Sequence, residues 1–433
     1  MVHGRTAGEI AASVEAELRA GRLRPGERLP PVRELAQRLG VSPATAASAY
    51  RALRLRAVVV AAGRRGTQVA ARPPIASPAP NAAPAGAREL WQGNPDPELL
   101  PDLRPVLAHL RVGKRLYGEP PNRAELLELA AAAFRADRLP AGHLAVVGGA
   151  LDGLERCLGA HLRPGDRVLV EDPGYAAVFD LVAALGLEAV PVGVDDRGPL
   201  PDEVERALRG RVNAVIFTPR AQNPFGSAYD ARRVRELAAL LAAHDQVLVV
   251  EDDHAGPVAG ARALSVCHDR ERWAVVRSVS KSLGPDLRLA VMTGDAVTIS
   301  RVEGRQQIGA GWVSHVLQRA VVELWSSQAT ARRLERAAAE YARRRAEMVD
   351  ELRKVGLGAH ARSGLNVWVP VPDEDAALRR LAAAGWAVAP GRRYRIRSQP
   401  AIRISIGSLR PGEAAGIARA LAGATTPSLT RSA

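Results

Sequence analysis

The sequence predicts a multidomain chain. A small, basic helix-turn-helix module ending in a β-hairpin precedes a large α/β body with a mostly parallel sheet and a smaller C-terminal α+β subdomain. Three observations carry this expectation. Two short helical patterns separated by a glycine turn lie between residues 31 and 55. Residues 73–88, PPIASPAPNAAPAGAR, are rich in proline and alanine, lack apolar periodicity and read as a linker. From about residue 140 to 290, apolar strand-like runs alternate with helical stretches.

The first module, residues 1–72, is justified element by element. A helix is expected over Thr6–Ala20, where Ile10, Val14 and Leu18 recur at helical spacing. The loop GRLRPGERLP follows. A second helix, Pro31–Leu39, gathers Val32, Leu35, Ala36 and Leu39 on one face and ends at Gly40. Ser42 can cap a third helix whose first position is Pro43, where a missing N–H costs nothing, and which runs to about Leu55. VVVAAGRRGTQVA then reads as two short strands around a Gly-Arg-Arg-Gly turn. A basic hairpin tip suits contact with phosphates or a minor groove.

Charge supports the same division. The chain of 433 residues carries net +14. Residues 1–72 hold thirteen arginines against five glutamates, or +8, which leaves +6 for the remaining 361 residues. Such asymmetry points to a nucleic-acid-binding end. Apolar residues at 47% and charged residues at 24% exclude disorder over the whole chain. No apolar run reaches the roughly 18 residues of a membrane span. Acidic residues interrupt the N-terminal pattern, so no signal peptide is expected. Two cysteines, Cys157 and Cys267, make neither a disulfide scaffold nor a zinc site, and no metal is expected. A cytoplasmic protein is expected.

In the body, residues 89–424, candidate strands are RVLVE (167–171), NAVIF (213–217), QVLVVED (246–252) and WAVVRSV (273–279). In such sheets ligands sit beyond the carboxyl ends of the strands. The clusters EDPGY, TPRAQNPFG, EDDH and SVSKSLG fall there. Only three of the 60 basic residues are lysines, Lys114, Lys281 and Lys354, and arginine cannot form a Schiff base. Lys281 lies among small hydroxyls with Arg288 seven residues on, a context for an aldehyde cofactor that also carries a phosphate. Ser278, Ser280 and Arg288 can hold the phosphate. The turn before Ala150, Gly148-Gly149, opens a helix whose free N–H groups suit the same anion, although it also fits an ordinary strand-to-helix turn. Asp252 can pair with a protonated pyridine nitrogen, the device that marks pyridoxal 5'-phosphate. Asp253 is its rival, since alternation lets only one of the two face a pocket. Tyr175 can stack on the ring. Asn223 can bond its hydroxyl.

Three resemblances follow from these residues. LRPGERLPPVRELAQRLGVSPATAASAYRAL with GRRGTQVA resembles the GntR-type winged-helix domain. That likeness implies DNA contact from Arg33, Ser42 and Thr45 and from the wing residues Arg64, Arg65, Gly66 and Thr67. Tyr50 and Arg51 follow on the recognition helix. Tyr50 fits core packing as well as contact, and Arg51 fits a solvated charge as well as a phosphate clamp. GGALDGL, RPGDRVLVEDPGY, QNPFG, VVEDD, SVSKSLGPDLR and AIRISIG, in that order, resemble the fold-type I pyridoxal-phosphate enzymes of the aminotransferase class. By that analogy Arg403 receives a substrate or effector carboxylate, with a structural ion pair as its alternative. Head, linker and body together resemble the MocR subfamily of transcription regulators, which implies double-stranded DNA as partner and a head-to-tail homodimer.

The sequence departs from the subfamily at His254, where tyrosine is usual. An imidazole there is expected to titrate near neutrality and to bond the ring hydroxyl, or else to pack as a neutral residue. The function expected is a DNA-binding regulator that carries pyridoxal phosphate on Lys281 and senses the cofactor or an amino compound. The alternatives are an active aminotransferase with a fused head, and a regulator that keeps the fold without the cofactor.

Overall fold

The computed structural model describes residues 2–56, 58–61, 66–70, 86–111 and 113–422. The expected hairpin residues Arg64 and Arg65, and most of the expected linker, lie outside them. Two compact units are present.

In the first, α1 (Ala7–Arg19) starts at a capping box in which the Thr6 side chain accepts from Glu9 N–H and the Glu9 carboxylate accepts from Thr6 N–H. α2 (Val32–Leu39) ends at Gly40, whose φ of +64° is the left-handed conformation that favours glycine. α3 (Pro43–Leu55) begins at Ser42, whose hydroxyl accepts from Thr45 N–H. β1 (Val59–Ala61) pairs antiparallel with β2 (Thr67–Val69). Ile10, Val14, Leu35, Ala46, Ala49 and Leu53 are buried together, so the apolar stripes of the three helices form one small core.

β3 (Arg88–Leu90) takes in the last residue of the expected linker and belongs to the second unit. That unit holds most of the main sheet. Its strands are β4 (His143–Val147), β5 (Arg167–Asp172), β6 (Glu188–Asp195), β7 (Gly198–Pro199), β8 (Ala214–Phe217), β9 (Leu248–Asp253), β10 (Trp273–Ser278) and β11 (Ala290–Gly294). The spatial order is β4-β11-β10-β9-β8-β5-β6-β7. β8, β9 and β10 run parallel, and β11 runs against both β10 and β4. The central strands are buried along their whole length, as a sheet covered on both faces requires.

The helix Ala150–His161 packs onto this sheet through Gly153. A β-carbon there would lie 3.1 Å from Met292 and Val276, so the close approach depends on glycine. The C-terminal subdomain is a four-stranded sheet of β12 (Asn366–Pro370), β14 (Ala401–Ser405), β13 (Trp386–Pro390) and β3, in that order. The helices Gln328–Lys354, Glu374–Ala383 and Glu413–Ala422 accompany it. Among the described residues no helix is long and apolar enough to cross a membrane.

Candidate functional site

The end of β9 decides between the two rival acids. In the parallel register Asp253 lies beside Arg277 and Asp252 beside Val276. Neighbours across a sheet share a face, so the two acids point to opposite sides. Asp253 is taken up by two guanidiniums: Arg220 at 2.7 and 2.8 Å and Arg277 at 2.6 Å. Burial pushes its carboxyl upward, but those two charges overcome that and hold it well below the usual carboxylate range. Arg277 also pairs with Asp137 at 2.7 Å and lies 4.8 Å over the Phe134 ring. Asp253 is therefore structural.

Asp252 is 4% exposed, and its Oδ1 has no hydrogen-bond partner among the described residues. Burial, with Asp253 and Glu171 nearby, pushes its carboxyl up to about 7. A buried acid without a donor is costly. A ring N–H is a donor that would satisfy it.

Ser278, two residues after Val276, shares the Asp252 face at the end of β10. Its hydroxyl donates to Ser280 Oγ at 3.0 Å and accepts from Ser280 N–H at 3.1 Å. Arg288 donates to the Gly148 carbonyl at 3.2 Å. A β-carbon at Gly149 (φ +111°) would sit 3.2 Å from the Arg288 guanidinium. Arg288 itself has φ +43°, the left-handed region disfavoured for a residue with a β-carbon. Ala150 is the first residue of its helix, so unpaired N–H groups lie at the same place. Arg288 and a helix N-terminus meet at Gly149, and Ser278 ends β10; groups of this kind can donate to a phosphate.

Lys281 Nζ donates to the Gly93 carbonyl at 2.9 Å. Burial, with the Arg403 charge nearby, pulls its ammonium down to about 8, so a larger share of amine is free than for an ordinary lysine. Arg403 is 2% exposed and donates to Asn223 Oδ1 at 2.9 Å and to the Trp91 carbonyl. Its guanidinium lies 4.5 Å from the Tyr394 ring centre. It makes no ion pair among the described residues. Tyr175, 39% exposed, stands on the EDPGY loop after β5.

At His254 the structure favours the second of the two expectations, a packed neutral imidazole. Its Nε2 donates to the Ala221 carbonyl at 2.9 Å. Burial and the neighbouring Lys281 charge pull it down to about 4, so it is neutral at physiological pH rather than titrating there.

Several residues of the site were missed from sequence. Gln222 joins the two loops that carry Tyr175 and Asn223: its amide donates to Glu171 at 3.0 Å and the Pro173 carbonyl at 2.8 Å, and accepts from Phe225 N–H at 2.9 Å. Asp172 accepts from the N–H groups of Ile396, Arg397 and Ser398 and from the Ser398 hydroxyl. Gly174 N–H donates to the Tyr394 carbonyl at 2.7 Å. The EDPGY loop and the Tyr394 loop are thus tied together. The only signal for this was the position of Asp172 at a strand end.

In the head, Arg33 and Arg51 are exposed, and Ser42, Thr45, Gly66 and Thr67 are at least partly accessible. Tyr50 is withdrawn from the contact set: it is 2% exposed, and its hydroxyl donates to the Pro30 carbonyl at 2.7 Å. A ring so enclosed packs the core.

Comparison with known proteins fits both parts. Residues 89–421 match the family model described as aminotransferase class I and II, and residues 6–69 match that of bacterial regulatory proteins, gntR family. The vitamin B6 salvage pathway transcriptional repressor PtsJ of Salmonella typhimurium is 38% identical, over 95% of this chain and 97% of its own. The chain belongs to the MocR subfamily of GntR-type transcription regulators. Another relative of this MocR regulator, the pyridoxine biosynthesis transcriptional regulator PdxR of Corynebacterium glutamicum, is 27% identical over 82% of each chain. Among solved structures, the Pyrococcus horikoshii kynurenine aminotransferase superposes with a TM-score of 0.72 at 21% identity, over 78% of this chain and 91% of its own, and shows the shared fold. The cofactor of the MocR body is pyridoxal phosphate, and the orphaned Asp252 oxygen, the donors at Gly149 and the softened Lys281 amine fit it.

Proposed function

We propose that this MocR regulator binds operator DNA through its head and carries pyridoxal phosphate on Lys281. It senses the cofactor itself, or an amino compound that competes with Lys281, and sets transcription of genes for vitamin B6 metabolism. The observation that carries the proposal is the pairing of one softened, half-buried lysine with a buried acid that lacks a donor, on a chain with a helix-turn-helix head. The names of PtsJ and PdxR support the B6 connection. We further propose a cytoplasmic, head-to-tail homodimer reading paired half-sites.

When bound, pyridoxal phosphate supplies an aldehyde and an electron-withdrawing ring. The chain's residues do the rest. Lys281 offers a free amine near neutral pH. Asp252 accepts a proton-bearing ring nitrogen. Asn223 is available to the ring hydroxyl, and Tyr175 to one face of the ring. Ser278, Ser280, Arg288 and the N–H groups at Gly149 and Ala150 hold the phosphate. Arg403 holds a carboxylate. A ligand shifts the regulator between two arrangements only by binding one better than the other. Release of Lys281 from the cofactor would change charge at the centre of this network and supply such a difference.

The test is an absorption spectrum of the purified chain with added pyridoxal phosphate. The reading expects a visible band that Lys281→Ala removes. The same spectrum for wild type and variant contradicts it.

A further inference from the structure

Arg403 is not the sole guanidinium at its end of the site. Arg393, half-buried, lies 5.9 Å from the centre of the Trp91 ring. Trp91 is the residue whose carbonyl accepts from Arg403, and Tyr394, next to Arg393 in the chain, is the ring beneath Arg403. The two arginines and two aromatic rings therefore interleave. Neither arginine makes an ion pair among the described residues. Two buried donors, Arg403 Nε and Trp91 Nε1, have no hydrogen-bond partner among the described residues.

A desolvated guanidinium such as that of Arg403 needs an anion, and aromatic faces and carbonyls compensate it only in part; the half-buried Arg393 adds a second positive charge beside it. Burial lowers Arg403's hold on its proton, and the charge of Arg393 adds to that. One carboxylate neutralises one of the two charges and leaves the other. We propose that Arg393 is a specificity-determining residue. The effector is an amino compound with two anionic groups: its α-carboxylate meets Arg403, and a second carboxylate or a phosphate meets Arg393. This rests on the proposed sensing function and narrows its ligand class.

The experiment titrates the full-length, cofactor-loaded chain with aspartate, glutamate and O-phosphoserine, and in parallel with alanine, asparagine and glutamine. The readout is the change in the cofactor's visible absorption. Half-saturation by the acidic compounds is expected at concentrations lower by about tenfold or more than by the neutral ones. Aspartate or glutamate leading identifies a dicarboxylate, and O-phosphoserine leading identifies a phosphate. Arg393→Gln is expected to collapse the acidic-to-neutral ratio, and Arg393→Lys to retain part of it. Equal or better response to the neutral compounds in wild type overturns the inference, as does an acidic preference that survives Arg393→Gln. The wild-type comparison stands even if a variant does not fold. If no amino compound changes either the spectrum or DNA affinity, amino-compound sensing itself fails, and this inference fails with it.

Discussion

Asp252 and Asp253 are consecutive on one strand, yet Asp253 is clamped between two guanidiniums while Asp252 keeps a buried oxygen with no partner among the described residues. The pair separates a group that holds the fold from one that is proposed to meet the cofactor ring.

Substitution should expose that difference. Asp253→Asn leaves the buried Arg220 and Arg277 with only the partly exposed Asp137 as counter-charge and is expected to cost about 3 kcal/mol in urea unfolding of the body. Asp252→Asn keeps the fold and lowers affinity for pyridoxal phosphate by about tenfold or more, read by spectral titration. Equal effects of the two on stability would contradict the assignment.

A pH dependence follows for the cofactor-free chain. Burial pushes Glu171, Glu251 and Asp252 each up to about 7. The unfolded chain loses these protons near pH 4. Between about pH 4 and 7 the folded chain therefore binds more protons, and these three groups make stability fall as pH rises. Asp253, held low, works in the opposite sense: its contribution is present above about pH 4 and is lost on acidification. Asp252→Asn removes one of the three. Its melting temperature, relative to wild type, is expected to be higher at pH 7.5 than at pH 5. A difference that does not change with pH would remove Asp252 from this account.

His254 supplies an independent check. Because burial holds it neutral above about pH 5, the visible band of the loaded chain should show no step near pH 6.5 that His254→Gln abolishes. Finding such a step would favour the titrating imidazole over the neutral one.

In the head, Arg33→Ala should weaken operator binding and leave the cofactor spectrum unchanged. Tyr50→Phe should instead cost about 1 kcal/mol of head stability, through loss of the bond to Pro30, with operator affinity retained. Gel-shift titration and thermal unfolding separate the two outcomes.

Much of this was legible in the sequence because the signals were local. Thr6, Ser42 and Gly40 mark helix ends by their own chemistry, and the helices stop there. Alternation on β9 limited the pocket to one of two acids, and Lys281 stood out against a background of arginine. What stayed hidden depends on packing between distant segments. The partners of Asp253 lie 33 and 24 residues away, and those of Asp172 more than 220. Tyr50 has a polar tip and an apolar ring, so its spacing on the helix could not say that both were enclosed. The pull of burial on His254 has no sequence signature.

The measurement closest to the central claim is the affinity of the full chain for DNA from its own promoter, with and without pyridoxal phosphate, in wild type and Lys281→Ala. The account predicts that the cofactor changes wild-type affinity and leaves that of Lys281→Ala unmoved. A cofactor response of the same size in both proteins, or none in wild type, would contradict it.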